Sequence, residues 1–142
     1  MNLISMLIED EGVELKPYKD HLGNWTIGVG RNLDDVGVSY AEAILMLEND
    51  ITRARTEAES FWWYEGLDPV RRDVVVMMLF QLGGPRFRGF KNTIEAISKG
   101  NWLGAKTEML NSLWANQVPK RAKKLALMME TGRYPEEDDV VL

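Results

Sequence analysis

With no cysteine and a single histidine, His21, the chain has few groups that could do chemistry. Thiol catalysis and disulfides are excluded, and a zinc site built on histidines or a Ser-His-Asp triad lacks the residues it needs. Proton transfer in an enzyme of this composition falls to carboxylates. Two of them stand where the local pattern breaks: Glu11 at the end of a helical stretch, and Asp20 in a turn, with the hydroxyl of Thr26 one strand further on. Each has an ordinary local explanation as well. Glu11 has acidic neighbours in Glu9, Asp10 and Glu14 and could be one more exposed acid. Asp20 could be a turn former before Gly23, and Thr26 a plain strand residue.

The elements that must position these groups follow from spacing. Leu3, Met6 and Leu7 recur at helical intervals, Asn2 can cap them, and Gly12 can end the helix directly after Glu11. The negative end of the helix dipole disfavours further negative charge there. Tyr18 to Asp20, the turn-forming His21-Leu22-Gly23-Asn24, and Trp25 to Gly30 read as a hairpin. Gly28 and Gly30 lie two apart on one strand face, as expected where another backbone or a ligand comes close. Ser39-Tyr40-Ala41-Glu42 fits a capping box, followed by a helix of more than 20 residues with Ile44, Leu47, Ile51, Ala54, Ala58 and Phe61 on one side. Further helices start at Asp68-Pro69, at Asn92 through Lys99, at Asn101 through about Asn111, and at Pro119 through Met129. Gly83-Gly84-Pro85, Gly100 and Gly132 are the stops. The run Val74 to Leu82 is apolar on all sides and predicts a buried helix.

The 142 residues, 45% hydrophobic and 27% charged, suit one soluble domain with a core of its own. The net charge of −5 argues against a nucleic-acid binder. Acidic residues concentrate in the first sixty positions and basic ones in the rest, a pattern that suggests two lobes. The expected organisation is a single domain over 1–142. It has an α/β front lobe at 1–38, a bridging helix at 39–63, a helical back lobe at 64–134 and an acidic, mobile tail at 135–142. The fold class is α+β and mostly helical. The apolar opening lacks a basic flank and runs into Glu9-Asp10-Glu11, so no signal peptide, transmembrane span or membrane insertion is expected.

At this point the chain resembles a known family. Glu11-Gly12, Tyr18-Lys19-Asp20 and Trp25-Thr26-Ile27-Gly28-Val29-Gly30 look like the signature of phage lysozymes of the T-even type (glycoside hydrolase family 24). The order Glu, eight residues, Asp, five residues, Thr is the same. Asp68-Pro69-Val70-Arg71-Arg72, Phe80-Gln81-Leu82-Gly83, Gly89-Phe90-Lys91-Asn92-Thr93 and Trp114 through Ala122 match further segments, so the resemblance extends to about Tyr134. It implies a lysozyme-like two-lobe fold and hydrolysis of the β-1,4 bond between N-acetylmuramic acid and N-acetylglucosamine in peptidoglycan, with inversion and bacterial lysis. Such chemistry needs one carboxylic acid for the leaving oxygen and a second carboxylate for water. Glu11 resembles the proton donor, Asp20 the ionised partner, and Thr26 a hydroxyl that holds the water. Asn32, Phe80, Thr93 and Glu108 match positions that touch substrate. Arg121 matches an arginine that pairs with the catalytic glutamate, and Gln81 and Trp114 match a packed pair. No metal or other cofactor is implied. The substrate implied is the peptidoglycan itself, with the chain a monomer in its host's cytoplasm until a separate membrane-permeabilising partner lets it reach the wall.

Three departures stand out. Arg31 replaces a histidine, and an Arg31–Asp50 ion pair is expected in place of the family's His–Asp pair. The stretch from Leu33 to Ser39 is about twenty residues shorter than in T-even enzymes, which predicts a front lobe lacking a strand and a short helix. The chain is acidic where those enzymes are basic. Three other functions compete: a lytic transglycosylase, which needs no water-activating aspartate, a non-catalytic peptidoglycan-binding module, and a helical structural or partner-binding domain with accidental motifs. Glu11, Asp20 and Thr26 all being present favours hydrolysis over the first two, and the further matching segments speak against the third.

Overall fold

Asn2 starts the first helix. Its side-chain oxygen accepts from the Ser5 amide at 2.9 Å, and Ser5 Oγ accepts from the Asn2 amide at 2.9 Å, so two donors that α1 (Leu3–Glu11) cannot satisfy internally are paired. Gly12, at φ +74°, turns the chain away, and its N–H donates to the Ile8 carbonyl at 2.8 Å. The computed structural model describes residues 1–136. They divide into two compact units, Met1–Leu47 and the chain from Glu48 onward.

In the first unit β1 (Glu14–Lys19), β2 (Trp25–Gly28) and β3 (Arg31–Asn32) form an antiparallel meander in that order. Tyr18 lies opposite Thr26 and Lys19 opposite Trp25, while Glu14 pairs with Gly28. The register shifts between Glu14 and Tyr18, where Pro17 has no N–H to give to the ladder. The hairpin read from the sequence is present, but β1 starts earlier and β3 is an additional strand. Gly28 and Gly30 do not share a strand face. Ile27 lies opposite Arg31, so the chain turns through Val29-Gly30 after Gly28 ends β2, with φ +70° and +66° at the two glycines. The expected capping box starts α2 (Tyr40–Glu59): Ser39 Oγ accepts from the Glu42 amide at 3.1 Å, and Glu42 Oε1 accepts from the Ser39 amide at 2.8 Å. The helix stops at Glu59, earlier than the pattern implied, and Phe61 packs against the core from the turn that follows. The boundary between the units falls inside α2.

The second unit is helical throughout its described residues after α2. It comprises α3 (Pro69–Leu82), α4 (Gly84–Arg88), α5 (Lys91–Ser98), α6 (Trp102–Leu110), α7 (Leu113–Gln117) and α8 (Pro119–Thr131), with a short 3-10 turn at Tyr64–Gly66. Caps explain the starts. Asp68 accepts from the Arg71 amide and Asn101 from the Gly104 amide. Asn92 does not cap: α5 begins at Lys91, so Asn92 lies inside it, and no side chain caps its start. Gly132, in the left-handed region, ends α8. The core is here: Val74, Val75 and Met78 of α3, Phe87 of α4, Ile97 of α5, Met109 of α6 and Leu125, Met128 and Met129 of α8 are buried. As expected, the Val74–Leu82 run of α3 is largely buried, although Phe80 within it is 48% exposed. Arg71 ties α3 to the end of α8. It donates to the carbonyls of Met129 and Glu130 at 2.7 and 2.8 Å, bonds Asp68 and lies over the Trp102 ring. Its charge meets the negative end of a helix that has no basic residue in its own last turn. The acidic tail expected at 135–142 lies, from residue 137, outside the described residues.

The class is α+β and mostly helical, as expected.

Candidate active site

Glu11, Asp20, Thr26 and Asn32 all belong to the first unit. Glu11 is the last residue of α1, and its carboxylate lies against the backbone at Gly30: a Cβ there would stand 2.9 Å from Glu11 Oε2 and 3.2 Å from Cδ. Glycine at this place leaves room for the acid. Asp20 begins the tight turn between β1 and β2, with its amide donating to the Asn24 carbonyl at 2.9 Å. Its Oδ1 accepts from the amides of Leu22 and Asn24, both at 2.9 Å. The bond from the Asn24 amide, aided by that from Leu22, holds the carboxyl below the usual aspartate range, against the opposing effect of desolvation. Asp20 therefore stays ionised at neutral pH.

Thr26 sits between these two, buried in the middle of the sheet. Its hydroxyl donates to the Asn24 carbonyl at 3.0 Å. With its proton committed, the oxygen has lone pairs to offer. Asn32 lies opposite Thr26 on β3, its side chain engaged with Asp35.

Arg31 does not pair with Asp50. Its guanidinium forks onto Glu42, with Nη1 at 3.0 Å from Oε1 and Nη2 at 2.7 Å from Oε2, and Nη1 also donates to the Gly37 carbonyl at 3.0 Å. Asp50 pairs instead with Arg53, one turn along α2. The short Leu33–Ser39 connection brings the first turn of α2 within reach of β3, and Glu42 is already held there by Ser39. The Arg31 fork, then the Ser39 amide, lower the Glu42 carboxyl from 4.5 to about 2. A carboxyl depressed in the folded state stabilises the fold above its unfolded value and loses that effect as pH falls. Stability is therefore expected to decline between about pH 4.5 and pH 2 with no step between pH 6 and 8. Urea melts across this range should show the acid limb flattened in Glu42→Gln.

Thr93, Glu108 and Trp114 come together in the second unit, around a pocket of about 400 Å³. Arg86, Lys91, Asn92, Asn111 and Gln117 also line it. Trp114 forms a wall, edge-on to Phe90 with ring centroids 6.0 Å apart, and its indole N–H donates to Gln81 Oε1 at 2.9 Å. Thr93 is 2% exposed and lines the pocket. Phe80 is elsewhere in this unit, in a second recess of about 370 Å³ with Asp50, Arg53 and Glu57. Arg121 is exposed on α8. Sequence reasoning missed Arg86, Lys91, Asn111 and Gln117, because several separate helices and turns contribute them and no shared spacing links them. Glu42 was read only as a cap.

Among the described residues no helix is long and apolar enough to cross a membrane. Comparison with known proteins matches the Phage lysozyme family model over residues 8–129. Two relatives from Dictyostelium discoideum, "Probable T4-type lysozyme 2" and "Probable T4-type lysozyme 1", are 31% and 30% identical. The alignments cover 95% and 89% of this chain and 97% and 92% of theirs. The "Pre-baseplate central spike protein Gp5" of Enterobacteria phage T4 is 24% identical over 93% of this chain and 28% of its own length.

Proposed function

Because the chain belongs to the phage lysozyme family and is a glycoside hydrolase acting on peptidoglycan, we propose that it is an inverting muramidase. It cuts the β-1,4 bond between N-acetylmuramic acid and N-acetylglucosamine and so lyses bacteria, acting as a monomer on the wall after release from its host's cytoplasm. Glu11 gives its proton to the glycosidic oxygen as the bond to the anomeric carbon breaks. A water bound between Asp20 and Thr26 attacks that carbon from the opposite face. It donates one hydrogen bond to Thr26 Oγ1 and passes its other proton to Asp20 Oδ2. Exchange with solvent then returns a proton to Glu11 and removes one from Asp20.

The observation that carries this reading is the placement of the two acids at opposite ends of the sheet, with Thr26 between them. Asp20 is tied to the turn at Asn24, and Glu11 lies over Gly30, beyond Gly28. From Asn24 to Gly28 is four residues of strand, ~13 Å of backbone. Anchors this far apart leave room for a water between the two acids. That suits the roughly 6.5–9.5 Å of inverting enzymes better than the ~5 Å of retaining ones.

Asn32, Phe80, Thr93 and Glu108 bind the polymer in this reading, with Arg121, Gln81 and Trp114 supporting the site. Thr93→Val removes the hydroxyl and keeps the shape. Stability is expected to hold within about 1 kcal/mol, while KM for peptidoglycan rises severalfold. A melt and a saturation curve check both; lower stability at unchanged KM would place the hydroxyl in the core and not in the site.

Mass spectrometry of a purified peptidoglycan digest tests the reaction. Fragments ending in reducing N-acetylmuramic acid are expected. Reducing N-acetylglucosamine ends would mean the other bond is cut, and 1,6-anhydro ends would mean transglycosylation.

A further inference from the structure

β3 is two residues long, and an edge strand of that size cannot hold its place by backbone pairing alone. Yet the residue before it and a residue opposite it both matter to the proposed reaction. Gly30, immediately before it, carries the Glu11 carboxylate, and its second residue, Asn32, lies opposite Thr26. Arg31 is the anchor. Its fork onto Glu42 and its bond to the Gly37 carbonyl fasten β3 to the start of α2 and to the intervening loop. Glu42 is in turn fixed by the Ser39 amide. A part-exposed ion pair usually contributes little, but a bidentate fork within a network is the geometry that does hold position.

We propose that the Arg31–Glu42 clamp is a positioning device for catalysis, seating Glu11 through Gly30 and Thr26 through Asn32. The proposal rests on the roles given above to Glu11 and Thr26. Asp20 is outside its reach, held by its own turn at the far end of β2. Losing the clamp lets the loop drift beneath Glu11, so the proton donor spends less time in line with the glycosidic oxygen. Of the residues proposed to bind the polymer only Asn32 is on β3, so binding is expected to change less than turnover.

Arg31→Met removes the fork and keeps the aliphatic stem. Arg31→Lys keeps the charge without the fork. Lys106→Met, which breaks the Lys106–Glu130 pair in the second unit, serves as a control for destabilisation alone. For Arg31→Met, kcat on soluble peptidoglycan fragments is expected to fall at least about tenfold with KM within about twofold, the pattern of a misplaced acid. Arg31→Lys falls between it and the wild type. The 13C resonance of the Glu11 carboxyl shifts in Arg31→Met, and that of Asp20 does not. Glu42→Gln reproduces the loss and carries the test if Arg31→Met does not fold. Wild-type kcat with an unmoved Glu11 resonance overturns the proposal, and so does a loss no larger than that of Lys106→Met. Full activity in Glu11→Gln would instead overturn the role of Glu11, whatever the clamp does.

Discussion

Glu11→Gln is expected to lower turnover on peptidoglycan by at least about a hundredfold, the usual worth of a general acid, with KM little changed. The amide keeps the volume and the reach of the side chain over Gly30 but has no proton to give. Nothing in α1 depends on the carboxylate: the helix starts at the Asn2 cap and ends through Gly12. The variant should therefore fold as the wild type does. Clearing of cell walls by both proteins at fixed concentration gives the comparison. Equal clearing would remove Glu11 from the mechanism and leave the proton donor to be sought among the other acids. Asp20→Asn should lose activity by a different route. Its amide oxygen can still accept from Leu22 and Asn24, so the turn survives while the base is gone.

Gly30→Ala has the next largest effect, and Gly28→Ala is its natural control. Both glycines hold positive φ, +66° and +70°, and alanine in that region costs ~1–2 kcal/mol. At Gly28 a Cβ meets nothing within 4 Å. At Gly30 it meets the Glu11 carboxylate at 2.9 Å. The carboxylate is the end of a flexible side chain, so the crowding is relieved by moving the acid and not the fold. Similar losses of stability are expected for the two variants. Activity should fall by up to about a hundredfold for Gly30→Ala, since displacing a reacting group by about 1 Å can cost that much. Gly28→Ala should stay close to wild type. Parallel melts and rate measurements decide it; equal rates in the two variants would mean that Glu11 does not depend on the Gly30 backbone.

What the sequence revealed follows the reach of the interactions involved. Helix starts set by a side chain three residues away were readable: Asn2, Ser39, Asp68 and Asn101 each cap as their local pattern implies. The five-residue helices α4 and α7 were not, because they are too short to show a period. Asn92 misled for the opposite reason, being a capping residue type placed inside α5. Arg31 shows the limit most clearly. Matching it to a family position pointed to Asp50, but partner choice depends on which carboxylate the loop brings near, and the shortened Leu33–Ser39 segment brings Glu42. Glu11, Asp20 and Thr26 were read as a set from the family's signature, and helix end, turn and strand lie together in the first unit. The pocket around Thr93 was legible only in part, since α5, α6, α7 and the segments between them must first assemble.

Anomeric configuration is the most direct test of a water activated by Asp20 and Thr26 and an acid at Glu11. Proton NMR of a peptidoglycan fragment, recorded in the first moments of cleavage before mutarotation, reads the configuration of the new reducing end. The α-anomer appearing first is the predicted result, since the water attacks opposite the departing β-linked sugar. The β-anomer appearing first would mean that Asp20 attacks the sugar itself, and the water-filled arrangement proposed for these two carboxylates would be wrong.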